Sequence, residues 1–307
     1  MNGVYCLAND GIYEHFIAFI KSFRRYNPTL PLTVILFDDN FRKIEVLSRI
    51  YNFDLWVPPD AERMYNMGKI FYPDNVIWQK GFKKICSFWG KYETFIFLDA
   101  DLIVLQDLNP ILQQFNDSDF SFLYFDHDPD WVYNDILFRE KMEKEFESKH
   151  FNAGTWGGKK NVLSFEAINE IFKNIDQYKD KFVQVMEQPF LNYCIDIQKI
   201  KKVRLDDLDN RYAFSFWYNL DFKTVGRDIH WIYNGIDKGI TVAMHWAGCN
   251  FYNIYSHPSS IYFLKHRLYG ENLYYKYRYF LKFYHLTSFD LIKKIHFRNF
   301  LKVIFFS

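Results

Sequence analysis

Apolar residues occupy the first hundred positions in short continuous blocks, each closed by polar ones. Val4 to Ala8 is such a block and ends at Asn9-Asp10-Gly11, the pattern of a strand running into a turn. From Tyr13 to Tyr26, Phe16, Ile17, Phe19, Ile20 and Phe23 recur at helical spacing, and Asn27-Pro28 breaks the pattern. Leu32 to Phe37 is a second apolar block, ending in Asp38 and Asp39. Phe41 to Tyr51 reads as a helix, and Leu55-Trp56-Val57 as a third strand closed by Pro58-Pro59. Alternating strands and helices predict an α/β chain with a mostly parallel sheet flanked by helices. In such sheets ligands bind beyond the C-terminal ends of the strands.

The stretch "ETFIFLDADLIVLQDLNPIL" sharpens the picture. Phe95 to Leu98 forms an apolar block, Asp99 and Asp101 follow, and Leu102 to Leu105 is apolar again. An ionised carboxylate in such surroundings needs a cation, hydrogen bonds or an exit to solvent. Small Ala100 lets the chain turn so that both carboxylates point the same way. Two hard oxygen ligands suit Mn²⁺ or Mg²⁺, ions that keep water and substrate phosphate as further ligands. The alternative is a pair of solvated acids at a strand end. Farther on, an acidic stretch ("FNDSDF", "FDHDPDW") leads into a charged helix, "REKMEKEFESK", expected to be solvated and without catalytic role.

Composition narrows the class. With 307 residues, 49% of them hydrophobic and 21% aromatic, the chain has material for a large core. A net charge of +1 gives no overall signature for nucleic acid. The balance is uneven: nine Lys or Arg and two acids (Glu271, Asp290) lie from Lys265 onward, leaving that segment at about +7 and the rest at about −6. Cys6, Cys86, Cys194 and Cys249 lack the paired spacing of zinc or redox motifs and are expected to be reduced. "MNGVYCLAND" lacks the features of a signal peptide, and no apolar run reaches the ~18 residues of a membrane span. A cytoplasmic protein is expected.

Four blocks, in order, resemble the GT-A glycosyltransferases, specifically family 8, the glycogenin and bacterial lipopolysaccharide-galactosyltransferase group. They are "VYCLANDGIY", "KICSFWGKYETFIFLDAD", "FNAGTWGG" and "EQPFLNYCI", with "MHWAGCNFYN" as a fifth. The resemblance covers residues 4 to about 252. It implies that Leu7, Ala8, Asn9 and Tyr13 contact the base and ribose of a nucleotide-sugar donor. It places Lys84 near the nucleotide, with Asp99 and Ala100, and sets Asn152, Ala153 and Gly154 beside the donor sugar. It faces Glu187 and Gln188 to the reacting sugar as the catalytic pair, adds His245 to Asp99 and Asp101 as the third metal ligand, and sets Gly248 at the diphosphate. The implied activity is metal-dependent hexosyl transfer with retained configuration, UDP being the implied nucleotide and a glycan or lipid-linked glycan the acceptor.

Three positions depart from the family pattern. Phe251 stands where a diphosphate-binding Lys is usual, leaving Lys83 or Arg211 to substitute. Glu187 replaces an Asp, and bulky Trp156 replaces an aliphatic residue. Taken alone, His245 also fits a hydrogen-bonded core histidine, Gln188 before Pro189 a helix cap, Asn152 and Gly154 a turn, and Trp217 core packing rather than a sugar platform. Domain boundaries are expected at 1–255 for the transferase and 256–307 for a helical extension. In that extension Lys294, Arg298 and Lys302 form a basic stripe beside Phe297, Phe300, Leu301 and Ile304, as in a helix lying on an anionic membrane surface. A helix packed on the catalytic domain is the alternative. The rival functions are a decayed, membrane-bound scaffold or glycan-binding protein, and a nucleotidyltransferase. The latter is disfavoured because "LANDGIYEHF" lacks a glycine-rich, Arg-containing loop.

Overall fold

The computed structural model describes residues 1–126, 129–147, 149–216, 222–248, 259–284, 297–298 and 300–302. Its strands are β1 (Asn2–Ala8), β2 (Leu32–Leu36), β3 (Asp54–Trp56), β4 (Thr94–Asp99), β5 (Leu102–Val104), β6 (Phe122–Tyr124), β7 (Thr155–Lys159), β8 (Lys202–Arg204), β9 (Tyr212–Phe216), β10 (Phe222–Val225), β11 (Asp228–Tyr233) and β12 (Ile236–His245). The chain divides into two compact units, residues 1–11, 30–99 and 109–210, and residues 12–29, 100–108 and 211–307.

The first unit is built on a seven-stranded sheet in the order β3-β2-β1-β4-β7-β6-β8. β1, β2, β3 and β4 run parallel, β7 is antiparallel to both β4 and β6, and β8 is parallel to β6. β1, β2 and β4 are buried almost throughout. A strand covered on both faces has no polar face to alternate with, which is why these sequences read as unbroken apolar runs. The register pairs Ala8 with Leu36 and Leu7 with Asp99. Asn9, Asp38 and Asp99 are therefore delivered to one edge of the sheet.

Trp156 of β7 is fully buried, with ring centroids 4.9 Å from Phe88, 5.5 Å from Phe97 and 5.6 Å from Phe122. Gly158 projects from the same face of β7, and a Cβ there would lie 2.7 Å from the Phe88 ring. The missing side chain makes room for the cluster that Trp156 joins. This departure from the family pattern is a core residue. The charged helix forms at Ile136–Phe146 with Asp135 capping Phe138 N at 2.9 Å, and Met142 is its buried residue. Cys6, Cys86 and Cys194 are buried thiols; Cys249 and Trp217 lie outside the described residues.

In the second unit, β10-β11-β12-β5 form a sheet in that order, and β9 pairs in parallel with β12. The two-residue link Asn234-Gly235 joins β11 to β12 with φ of 51° and 76°. A tight hairpin needs left-handed backbone at both positions, which Asn and Gly tolerate best. The helix Tyr13–Tyr26 buries His15 through Phe23. Its Ser22 Oγ accepts from Val104 N (2.9 Å), and Asn27 Oδ1 accepts from Leu108 N (2.8 Å). Ala18, Ile103, Met244, Trp246, Phe263 and Leu264 share one core, to which the helix Ser260–Arg267 contributes. The helix Leu273–Tyr284 follows. Among the described residues no helix is long and apolar enough to cross a membrane.

Candidate functional site

In the first unit the site is built around a buried ammonium. Lys84 lies in the 3-10 helix Phe82–Trp89. Its Nζ is 2.9 and 3.1 Å from the two Asp99 carboxylate oxygens and 3.0 Å from Glu187 Oε1. Lys84 is 4% exposed and Glu187 1%. Burial pulls the Lys84 pKa down, but Asp99 and Glu187 outweigh it and hold the pKa above the ordinary lysine value. Burial raises the pKa of Glu187; Lys84 pulls it back and the Asp99 charge adds to the rise.

Asp99 is fixed from its backbone side as well, its N–H donating to Gly154 O at 2.8 Å. Glu187 directly precedes the helix Gln188–Ile197, with Pro189 in the first turn. The Gln188 side chain does not cap that helix. Its Oε1 accepts from Ala153 N (2.8 Å) and its Nε2 donates to Trp131 O (2.8 Å). One turn later Asn192 accepts from Phe151 N (3.0 Å) and donates to Phe151 O (2.9 Å). Two side chains at i and i+4 thus bracket the backbone of residues 151–153, which fixes Asn152 and Ala153. Asn152 Nδ2 in turn donates to Asp126 Oδ2 at 2.7 Å.

The loop after β1 carries Asn9, whose Oδ1 accepts from Gly11 N (3.0 Å) and whose Nδ2 donates to Asp38 (3.1 Å). Leu7 and Ala8 are buried strand residues leading into it. Asp38 also takes Lys80 Nζ at 3.0 Å and Asn40 N at 3.1 Å. Burial would raise its pKa, but these partners together hold it below the ordinary carboxylate value. Lys83 Nζ donates to Phe37 O at 2.9 Å. Burial, then the Lys80 charge, lowers its pKa from the ordinary lysine value.

In the second unit, His245 ends β12, in register with Leu102 of β5 and Phe216 of β9. That register sets its Nε2 2.9 Å from Asp101 Oδ1, with the Phe216 ring stacked at 5.8 Å. Trp246 N donates to Asp101 O at 3.0 Å, completing the hold on this residue. His245 is 4% exposed. Gly248 adopts φ +66°, a left-handed turn that a side chain would strain. Tyr13 opens the helix Tyr13–Tyr26, and the Arg211 guanidinium lies 5.3 Å from the Tyr212 ring centroid. Phe251 lies outside the described residues.

Only Ala100, itself buried, separates Asp99 from Asp101 in the chain. Asp99, Asp101 and His245 form a group that could hold a metal ion. Two carboxylates and an imidazole are a donor set that fits a divalent first-row cation.

Sequence reasoning left Asn192, Asp126 and Asp38 without roles. Asn192 was readable as the i+4 partner of Gln188, and Asp38 as the residue after β2 that answers Asn9 after β1. Asp126 had only an acidic run to mark it. A cavity of about 440 Å³ in the first unit, lined by Tyr5, Trp56, Trp89 and Lys91 among others, contains none of these site residues.

Solved structures similar to this chain include mouse xyloside xylosyltransferase 1 in its apo form, at 11% identity over 81% of this chain and 98% of that one, with a TM-score of 0.52. The WbbM bifunctional glycosyltransferase apo structure matches at 12% identity and a TM-score of 0.52, over 90% of this chain and 51% of that one. This chain therefore spans about half the length of the WbbM structure. No protein-family model and no curated protein matches the sequence. The fold is that of the GT-A glycosyltransferases.

Proposed function

We propose that the chain is a metal-dependent, retaining glycosyltransferase akin to family 8. It would move a hexosyl group from a nucleoside-diphosphate sugar, a UDP-sugar by preference, to a glycan or glycolipid acceptor in bacterial surface polysaccharide synthesis. The transferase domain would be residues 1–255, with residues 256–307 as an extension. The observation that carries this reading is the group Asp99, Asp101 and His245, with Asp99 held by a Lys84 that Glu187 also engages.

Mn²⁺ or Mg²⁺ held by Asp99, Asp101 and His245 would supply Lewis-acid neutralisation of the diphosphate leaving group. The chain's own residues do the rest. Leu7, Ala8, Asn9 and Tyr13 seat the base and ribose, and Asn152, Ala153 and Gly154 border the donor sugar. Gly248 lets backbone approach the diphosphate, and Lys83 or Arg211 offers the cation that Phe251 does not. Gln188 and Glu187 would face the reacting sugar. Glu187 Oε1 is engaged by Lys84, which supports front-face retention, with the leaving oxygen taking the acceptor proton, over attack by Glu187. Asp101→Asn is expected to lower Mn²⁺-dependent turnover of a UDP-sugar panel about 100-fold. Unchanged turnover would contradict the reading.

The basic, aromatic extension supports peripheral contact with the inner face of the cell membrane. Leu273, Tyr274 and Tyr277 are 64%, 69% and 51% exposed on the helix Leu273–Tyr284, which also carries Arg278 and Lys282. Rings and cations together suit an anionic lipid interface. The full chain is expected to sediment with phosphatidylserine vesicles at low salt, and a chain lacking residues 271–307 to stay in the supernatant. Equal sedimentation of both would refute membrane contact through this segment.

A further inference from the structure

Met186 has φ +44°, a left-handed conformation that strains a non-glycine residue. Such strain persists only where the surroundings over-determine it, and here they can be named. Tyr72 OH donates to Met186 O at 2.6 Å. Tyr72 is 5% exposed. Its own backbone is anchored by buried Gln79, whose Nε2 donates to Tyr72 O (2.6 Å) and Pro73 O (3.0 Å). Gln79 comes close because residue 68 is glycine: a Cβ there would lie 2.4 Å from Gln79 O.

The turn at Met186 delivers Glu187. Its Oε1 reaches Lys84 at 3.0 Å. Its Oε2 is buried and has no hydrogen-bond partner among the described residues. That oxygen fits against Gly81, where a Cβ would lie 2.8 Å from it and 2.7 Å from Met186 Cε. A carboxylate oxygen in so restricted a space has little freedom to move.

We propose that Tyr72 and Gly81 are positioning residues for Glu187. Tyr72 holds the left-handed turn at Met186 from outside the site, and Gly81 leaves the space that the longer Glu side chain needs. The inference rests on the reading of Glu187 as a residue facing the donor sugar. It extends the machinery to two residues that act through Glu187.

The test compares wild type with Tyr72→Phe, Gly81→Ala, Glu187→Asp and the double variant Gly81→Ala/Glu187→Asp. Calorimetry of UDP with Mn²⁺, hydrolysis of the UDP-sugar that wild type turns over, and crystal structures supply the readouts. Tyr72→Phe and Gly81→Ala are expected to bind UDP within about twofold of wild type while kcat for hydrolysis falls about tenfold or more, as for a displaced catalytic group. Glu187→Asp shortens the side chain by one methylene. In that background Gly81→Ala is expected to change kcat less than about twofold, a coupling that loss of packing alone would not give. In the crystal, Tyr72→Phe is expected to lose the Glu187–Lys84 hydrogen bond. An intact pair in Tyr72→Phe, or an equal Gly81→Ala defect in both backgrounds, would overturn the proposal. Should Gly81→Ala fail to fold, Tyr72→Phe decides. Should wild type turn over no UDP-sugar, the functional reading fails, and the crystal structure of Tyr72→Phe still decides the positioning claim.

Discussion

Replacing Lys84 by Met is expected to destabilise the first unit by about 3–5 kcal/mol, measured by urea unfolding in the presence of a chelator. Methionine keeps most of the volume, so the loss is electrostatic. It leaves Glu187, 1% exposed, without its counter-charge, and Asp99 without the ammonium on both of its oxygens. The deficit should depend on pH in a definite direction. Glu187 already has a raised pKa, chiefly through burial, and Lys84 is the charge pulling it down. In the variant the folded pKa climbs further above the unfolded value of about 4.3. A group with a raised folded pKa keeps its stability below the unfolded pKa and loses it as pH rises through the folded one. The deficit is therefore expected to be small near pH 4 and to grow toward neutrality. Lys84→Met/Glu187→Gln should recover most of it, because the buried charge is then gone. A loss below about 1 kcal/mol at pH 7 would mean that Glu187 is neutral beside Lys84.

The second large effect is expected at Arg267, buried at 1% exposure in the second unit. Its guanidinium donates to Glu14 at 2.7 Å and to Tyr275 OH at 3.1 Å, and lies 4.7 Å from the Tyr279 ring centroid. Burial lowers its pKa, but Tyr279 and Glu14 outweigh that and hold it above the ordinary arginine value. One side chain thus joins the start of the helix Tyr13–Tyr26 to the helix Leu273–Tyr284. Lys21 adds a parallel tie, donating to Tyr269 O (2.9 Å) and Glu271 (2.6 Å). Arg267→Met should cost about 3 kcal/mol, toward the low end for a broken buried pair because Glu14 can rehydrate. The loss is expected to be local. Hydrogen exchange should accelerate in residues 13–26 and 260–282 while the seven-stranded sheet keeps its protection. Unchanged exchange in those helices would show that the network contributes nothing net.

The parallel half of the first sheet was legible because burial on both faces writes itself as unbroken apolar runs. Val4–Ala8, Leu32–Phe37 and Phe95–Leu98 differ from the observed β1, β2 and β4 only at their ends, where Asn2, Gly3, Thr94 and Asp99 continue the strands with residues that are not apolar. The helix Tyr13–Tyr26 was legible through a five-residue stripe at helical spacing. β7, β9 and β12 were not. β7 contains two glycines, and its place between β4 and β6 is set by partners far away in sequence. β12 alternates little because its second half is buried and its first half exposed. At the site, the Asp99-Ala100-Asp101 spacing announced itself, since two carboxylates between apolar runs need a reason. Lys84 and His245 were reached by resemblance, and no local pattern gives their ionic partners. Tyr72 was invisible for a further reason: its role runs through the carbonyl of Met186, and a backbone contact leaves no trace in the residue type of its partner. Trp156 was the opposite case, a conspicuous residue whose bulk is absorbed by the core beside Gly158.

The central claim is that Asp99, Asp101 and His245 hold a divalent cation that recruits a nucleoside diphosphate. Calorimetric titration of the full chain with UDP, GDP, CMP and dTDP, each with Mn²⁺ and then with chelator, tests it most directly. The account predicts saturable binding of UDP with Mn²⁺ at micromolar Kd, lost on chelation and lost in Asp101→Asn. Binding of none of the four with Mn²⁺ present, or UDP binding that chelator leaves unchanged, would contradict it.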